Sequence, residues 1–164
     1  MRLAAAEEGV RRVKNLVVYF SRKGRVAAYA RERAQELGAD VLELRTPEHT
    51  GGILGFWWCG RFGMHRWPMT LLPCEQDVAD YDHVLVCTPM WVFSVSAPVR
   101  AFLAQNAGRF HSVEYAVVHF SRFPMRVRRI ARTMDALCGA KHTRATSVCC
   151  PWGLRLCVKE YDGE

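Results

Sequence analysis

Ser21, Arg22, Lys23, Gly24 and Arg25 stand together between an apolar run, Leu16 to Phe20, and a segment whose Val26, Ala27, Ala30, Ala34 and Leu37 recur at helical spacing. A hydroxyl, a glycine and three cations where a strand gives way to a helix suit an anion. The first helical turn carries backbone N–H groups without intrahelical acceptors, and the helix dipole is positive there. The chemistry such a loop would do is to hold a phosphate. Any strand–turn–helix connection with solvated basic residues looks similar, so both readings stand on this stretch alone.

Two further loops are rich in side chains able to line a ligand. Thr88, Pro89, Met90, Trp91, Val92 and Phe93 follow the apolar run Asp82 to Thr88, and Phe120, Ser121 and Arg122 follow Glu114 to Phe120. His119 precedes the latter, although a histidine late in a strand is ordinarily a hydrogen-bonded structural residue. No Ser-His-Asp arrangement, Walker loop or zinc spacing occurs, which argues against hydrolase, nucleotidase and metalloenzyme chemistry.

The elements that would position these loops follow from periodicity. Leu16–Phe20 is uninterrupted, apolar and β-rich, as expected of a strand buried on both faces. The helix after it ends at Gly38, a residue suited to the left-handed cap. Asp40–Leu44 reads as a second strand, Asp82–Thr88 as a third, Glu114–Phe120 as a fourth and Thr143–Cys149 as a fifth, with helices over about 97–104 and 125–138. Pro98 is tolerated in a first helical turn. Val127, Ile130, Met134 and Leu137 form the apolar face of the second of these helices, and Gly139 closes it. Alternation of strands and helices predicts an α/β three-layer sandwich with a five-stranded parallel sheet, in which ligands bind beyond the carboxyl ends of the strands. The three loops would converge there.

Between the second and third strands, five glycines alternate with Ile53, Leu54, Phe56, Trp57, Trp58, Phe62 and Trp67, with Arg61, His65 and Arg66 interspersed. Most of these rings are expected to pack on the sheet. Exposure around a ligand, a partner subunit or a membrane surface is the alternative.

With 164 residues the chain is expected to form one main domain over 15–150, with an N-terminal extension (1–14) and a short tail (151–164). Lys and Arg number 23 against 16 Asp and Glu, a net charge of +7 that favours anionic partners. The seven cysteines are odd in number and contain no CxxC, consistent with free thiols in a reducing cytoplasm; Cys149-Cys150 reads as a strand end before a redox or metal pair. The start lacks the apolar core of a signal peptide, and the uncharged stretch Val84–Val99 is broken by Pro89 and Pro98 and is too short to span a membrane. A cytoplasmic location is therefore expected. Arg122 to Arg132 could face nucleic acid, but the stretch contains no recognised motif and reads as a solvated helix face.

VVYFSRKGRVAAYA, GADVLEL, GILGFWWCGRF and DYDHVLVCTPMWVFSVSAPVRAFL resemble, in order and spacing, the successive blocks of the flavodoxin family over roughly residues 14–148. The resemblance implies a flavodoxin-like sheet in the order 2-1-3-4-5 and a cofactor, flavin mononucleotide (FMN). By that resemblance Ser21, Arg22, Lys23, Gly24, Arg25 and Val26 match the phosphate loop. Thr88, Pro89, Met90, Trp91, Val92 and Phe93 match the loop beside the isoalloxazine ring, with Trp91 as the stacking ring. Phe120, Ser121 and Arg122 would form the third wall.

Three departures qualify what the resemblance implies. The family's phosphate loop ends in asparagine and threonine where this chain has Arg25 and Val26. A lost hydroxyl donor to a charged group is worth about 1.5–3 kcal/mol, and a new guanidinium contact returns about as much. The family's electron shuttles are acidic, whereas this chain is basic, which implies a reductase of a small substrate such as a quinone before a shuttle. Finally, residues 150–164 barely allow the customary last helix. A homodimer covering the sheet beside the first helix is one expectation from that gap. A cofactor-free flavodoxin-like domain acting as a binding module is the rival reading of the whole chain.

Overall fold

The computed structural model describes residues 12–120, 125–151, 155 and 157–163. The first half of the chain forms β1 (Asn15–Tyr19), α1 (Arg25–Leu37), β2 (Asp40–Glu43) and α2 (Gly52–His65). A single 3-10 turn, Val78–Asp80, leads into β3 (His83–Trp91), β4 (Ser94–Val95) and α3 (Ala97–Gln105). The chain continues with β5 (Val113–His119), α4 (Met125–Cys138), β6 (Arg144–Cys149) and β7 (Cys157–Asp162).

β1 lies inside the sheet, between β2 and β3, where Leu16, Val17 and Val18 have no polar group to leave exposed; all three are fully buried. It pairs in parallel with β2 (Val17 opposite Val41) and with β3 (Val17 opposite Leu85). β3 then pairs in parallel with β5, and β5 with β6. Such crossovers need helices on the faces, which is why these strands read as continuous apolar runs.

The expected sheet of five parallel strands is enlarged. Among the described residues, seven strands are present in the order β2-β1-β3-β5-β6-β7, with β4 paired to β3 off that path. β4 is a two-residue antiparallel return on the end of β3. β7 runs antiparallel to β6, from Cys149 opposite Cys157 to Arg144 opposite Asp162. The tail thus adds an edge strand where a last helix was the family expectation. Arg155 holds the approach to β7 against α1, donating to Glu32 at 3.1 Å and lying 5.3 Å over the Tyr29 ring.

Two cores result. α1 buries Val26, Ala27, Ala30 and Ala34 against Val17, Tyr19, Leu85 and Ala116. α2, α3 and α4 cover the opposite face, where Phe102, Ile130 and Met134 are buried with Val18, Val86 and Tyr115. Burying a large apolar side chain contributes about 1.5–3 kcal/mol, so these layers dominate the stability.

α2 departs from expectation. It is a regular helix, but its buried residues are Gly55, Cys59 and Gly63, spaced four apart on one face. Its large side chains point outward: Ile53 is 79% exposed, Leu54 77%, Trp57 72%, Met64 66% and Phe56 62%. The physical reason is proximity. A Cβ on Gly63 would fall 3.0 Å from Trp91, and one on Gly55 would fall 2.2 Å from the Thr50 carbonyl carbon. Only small residues let the helix approach so closely, and the rings are left for the other side.

Candidate functional site

β1 ends at Tyr19 because the next residues change character. Phe20 is still buried, and Ser21 opens the turn into α1. The Ser21 Oγ accepts the Gly24 N–H at 3.0 Å, and Gly24 sits at the N-cap of α1 with φ 84. That backbone is strained for other residues, although no atom lies within 4 Å of where a Cβ would project. Lys23, Gly24 and Arg25 are exposed beside the first turn, whose N–H groups are available to an anion. Val26 is buried, so a ligand there would meet its backbone and not its side chain.

Arg22 does something different. Its Nη1 donates to the Thr50 and Gly52 carbonyls at 3.3 and 3.2 Å, and its guanidinium lies 5.4 Å over the Phe56 ring. It ties the α1 loop to the start of α2.

The second loop is a tight hairpin. Thr88 is fully buried; its hydroxyl donates to the Pro89 carbonyl at 2.9 Å and pairs with the Ser96 hydroxyl at 2.9 Å. It therefore braces the hairpin's base. Met90 pairs with Val95 and Trp91 with Ser94, leaving Val92 and Phe93 as the turn, at φ 47 and 59. Asn-Gly is the usual occupant of such a turn, because a left-handed backbone costs a bulky residue about 1–2 kcal/mol. The strain is held by Arg100, buried in α3, which donates to the Ser94 hydroxyl at 2.8 Å. Val92 and Phe93 are consequently displayed outward.

Trp91 is 9% exposed. Its ring meets Phe20 edge-to-face at 5.5 Å, and its backbone lies against Gly63. Most of its ring is therefore committed to the packing between β1 and α2. The exposed apolar groups at these strand ends are Val92, Phe93 and Phe120. Pro89 and Met90 are half-buried.

In the third loop, Ser121, Arg122 and Phe123 lie outside the described residues. His119 is buried, with Nε2 2.7 Å from the Ser147 hydroxyl. The start of α4 comes back to the hairpin: the Arg126 guanidinium stacks 3.5 Å over the Phe93 ring. Phe20–Trp91 and Phe93–Arg126 thus link the ends of β1 and β3 to each other and to the start of α4. Sequence reasoning missed Arg126, Arg100 and Gly63, because nothing local marks a helix residue as the support of a distant turn.

Buried titratable groups around this edge are pushed toward their neutral forms. Burial raises the Tyr29 phenol to about 12 and the Cys59 thiol to about 11, and it raises Cys87 as well. None of these is poised to exchange a proton near neutral pH. A cleft of about 940 Å³ lies along the outer side of α2, lined by Leu54, Trp57, Trp58, Arg61 and His65, and it reaches the hairpin at Val92. Among the described residues, no three His, Cys, Asp or Glu side chains are grouped to hold a metal ion.

No protein-family profile and no curated protein sequence matches the chain. Solved structures do. The FMN complex of a flavoprotein from Lactobacillus acidophilus NCFM superposes with TM-score 0.68 at 15% identity, covering 84% of this chain and 93% of that one. A candidate flavoprotein from Bacteroides uniformis gives 0.69 at 17%, covering 86% and 93%. The solution structure of the apo form of the Lactobacillus flavoprotein gives 0.58 at 17%, covering 77% and 87%.

The chain has the flavodoxin-like fold. In that fold the crevice between the first and third strands is where strand order reverses, since consecutive connections depart to opposite sides of β1. The Ser21–Arg25 loop and the Pro89–Phe93 hairpin flank that crevice here. Among the described residues, no helix is long and apolar enough to cross a membrane.

Proposed function

We propose that this flavodoxin-like chain is a flavin protein that binds FMN and delivers electrons to a small substrate such as a quinone. The observation that carries the reading is that the α1 N-terminus and the strained Val92–Phe93 turn follow β1 and β3, the neighbouring parallel strands at the strand-order reversal. Backbone strain in bulky residues persists where surrounding structure over-determines it, commonly at ligand sites. The Lactobacillus neighbour determined with FMN supports the choice of cofactor.

The residues present fit FMN. The first-turn N–H groups of α1, with exposed Lys23 and Arg25, would hold the phosphate; Val92, Phe93 and Phe120 offer apolar walls for a planar ring. Bound FMN would supply the redox chemistry, and the protein would supply position and electrostatics. Arg22 keeps the phosphate loop in place against α2, and Arg126 keeps Phe93 in place. The net charge of +7 opposes docking on basic reductases and favours a small electron acceptor.

A second reading, a cofactor-free binding module of the same fold, draws on one observation. Ser21 and Arg22 spend hydrogen-bonding groups on the protein's own backbone. The deciding experiment is the visible spectrum of freshly purified protein, followed by titration with FMN while flavin fluorescence is read. Flavin absorption bands, or quenching that saturates at one equivalent, support FMN binding. No bands and no quenching at high micromolar FMN leave the binding module as the function.

A further inference from the structure

Among the described residues, the outer face of α2 gathers large exposed apolar side chains. Ile53, Leu54, Trp57 and Met64 project from it, with Phe56 and Trp58 on its flanks and Val92 continuing it at the hairpin. Contiguous exposure of this kind marks an interaction surface. Its charge indicates what it meets. No Asp or Glu occurs from His49 to Cys74, while Arg61 and Arg66 do. Arg61 lies 5.9 Å over the Trp67 ring on this side of the helix. Three of the protein's five tryptophans, Trp57, Trp58 and Trp67, lie in this stretch.

We propose that this face docks the protein on an anionic lipid bilayer, with α2 lying in the plane of the headgroups. Leucine, isoleucine and tryptophan on one face, with Arg61 beside them and one carboxylate, Glu48, already accepting the Trp58 indole N–H at 2.8 Å, match the two layers of such an interface. Acyl chains accept the apolar groups, indole rings settle at headgroup level, and anionic headgroups attract guanidinium. The net charge of +7 draws the whole protein to the same surface. A second copy of the chain fits less well. A two-fold contact with its axis near Arg61, in the middle of the face, would set that guanidinium against its own like-charged equivalent. Binding at the surface is all that is required, since α2 has 14 residues and the whole helix is too short to span.

The test uses the full chain without added flavin, so its outcome is independent of the FMN titration. The protein is sedimented with vesicles of phosphatidylcholine alone and with vesicles holding about one-third phosphatidylglycerol. Partition to the anionic vesicles should be at least about tenfold stronger and should weaken with salt. Tryptophan emission should shift to the blue on binding and be quenched by brominated acyl chains.

Joint replacement Leu54→Ser and Trp57→Ser should lower partition at least about tenfold, and Arg61→Gln about fivefold. All three positions are exposed, so each variant should keep the circular dichroism of the parent; Arg61→Gln supplies a second probe if the double variant does not. Absence of sedimentation with anionic vesicles at low salt would overturn the proposal, as would partition that none of these replacements changes. A dimer that the double variant returns to monomer, with no vesicle binding by the parent, would assign the face to a second copy instead.

Discussion

Gly63 rests on Trp91: a Cβ placed on the glycine would stand 3.0 Å from both the Cβ and the carbonyl oxygen of the tryptophan. This contact joins an aromatic helix to the one turn of the sheet edge whose backbone is strained. It shows how closely α2 sits against the strand that leads into the exposed Val92–Phe93 turn.

Gly63→Ala should therefore act on the hairpin. An alanine gains about 1 kcal/mol of helix propensity but overpacks against Trp91 by about 1–3 kcal/mol. The expected net loss is about 1 kcal/mol in urea unfolding, with FMN affinity reduced. Gly60→Ala, which meets no atom within 4 Å on the same helix, should stabilise instead. Equal effects at the two glycines would contradict the packing account.

Val92→Gly should raise stability by about 0.5–1 kcal/mol. It relieves a left-handed backbone worth about 1–2 kcal/mol and introduces the entropy cost of glycine, about 0.5–1 kcal/mol. FMN affinity should fall at the same time, because an apolar wall and the rigidity of the turn are both lost. A variant that is destabilised would show that the turn is not strained.

Replacing Lys23 and Arg25 together by alanine should weaken FMN binding about tenfold, as expected for charge-assisted contacts at an exposed site. Riboflavin, which lacks the phosphate, should bind the variant and the parent equally. Comparing the two ligands by fluorescence titration separates a phosphate role from general loss of fold.

Stability should decline in alkali. The Cys59 thiol rises from its ordinary 9.0 to about 11 and the Tyr29 phenol from 10.0 to about 12, both through burial. Below pH 9 the two groups are neutral in both states. As pH rises, the unfolded chain releases its protons first, so the folded state loses its advantage between 9 and 11 for Cys59 and between 10 and 12 for Tyr29. Melting temperature measured from pH 8 upward should fall, and Tyr29→Phe should flatten the upper part of that fall. An unchanged profile in the variant would remove Tyr29 from the cause.

Much of this protein is legible locally. Leu16–Phe20 is apolar without interruption, Ser21–Arg25 breaks it, and the 26/27/30/34/37 spacing resumes as a helix closed by Gly38. Each of these signals acts within one or two turns of chain, and the structure forms β1 and α1 where they fall. The same holds for β5, α4 and β6, whereas β3 runs on to Trp91, beyond the expected end at Thr88. Thr88 and Trp91 read as loop residues and site candidates because Pro89 follows Thr88 and breaks the apolar run, yet both lie in β3. Their burial comes from Ser96 and from Phe20 and Gly63, contacts that no local pattern encodes.

The sequence by itself determined the alternation of strands and helices, the parallel core of the sheet and the edge at which loops gather, since periodicity and turn chemistry are short-range. Tertiary structure decided the rest. α2 is apolar on nearly every side, so composition could not say which side turns inward; close approach to Trp91 and Thr50 admits only Gly55, Cys59 and Gly63. Cys157–Asp162 alternates only weakly, and it became a strand because β6 presented an open edge of backbone hydrogen-bonding groups. In both cases the physical reason is the same: the orientation of a segment depends on the partner it meets, and that partner lies far away in the chain.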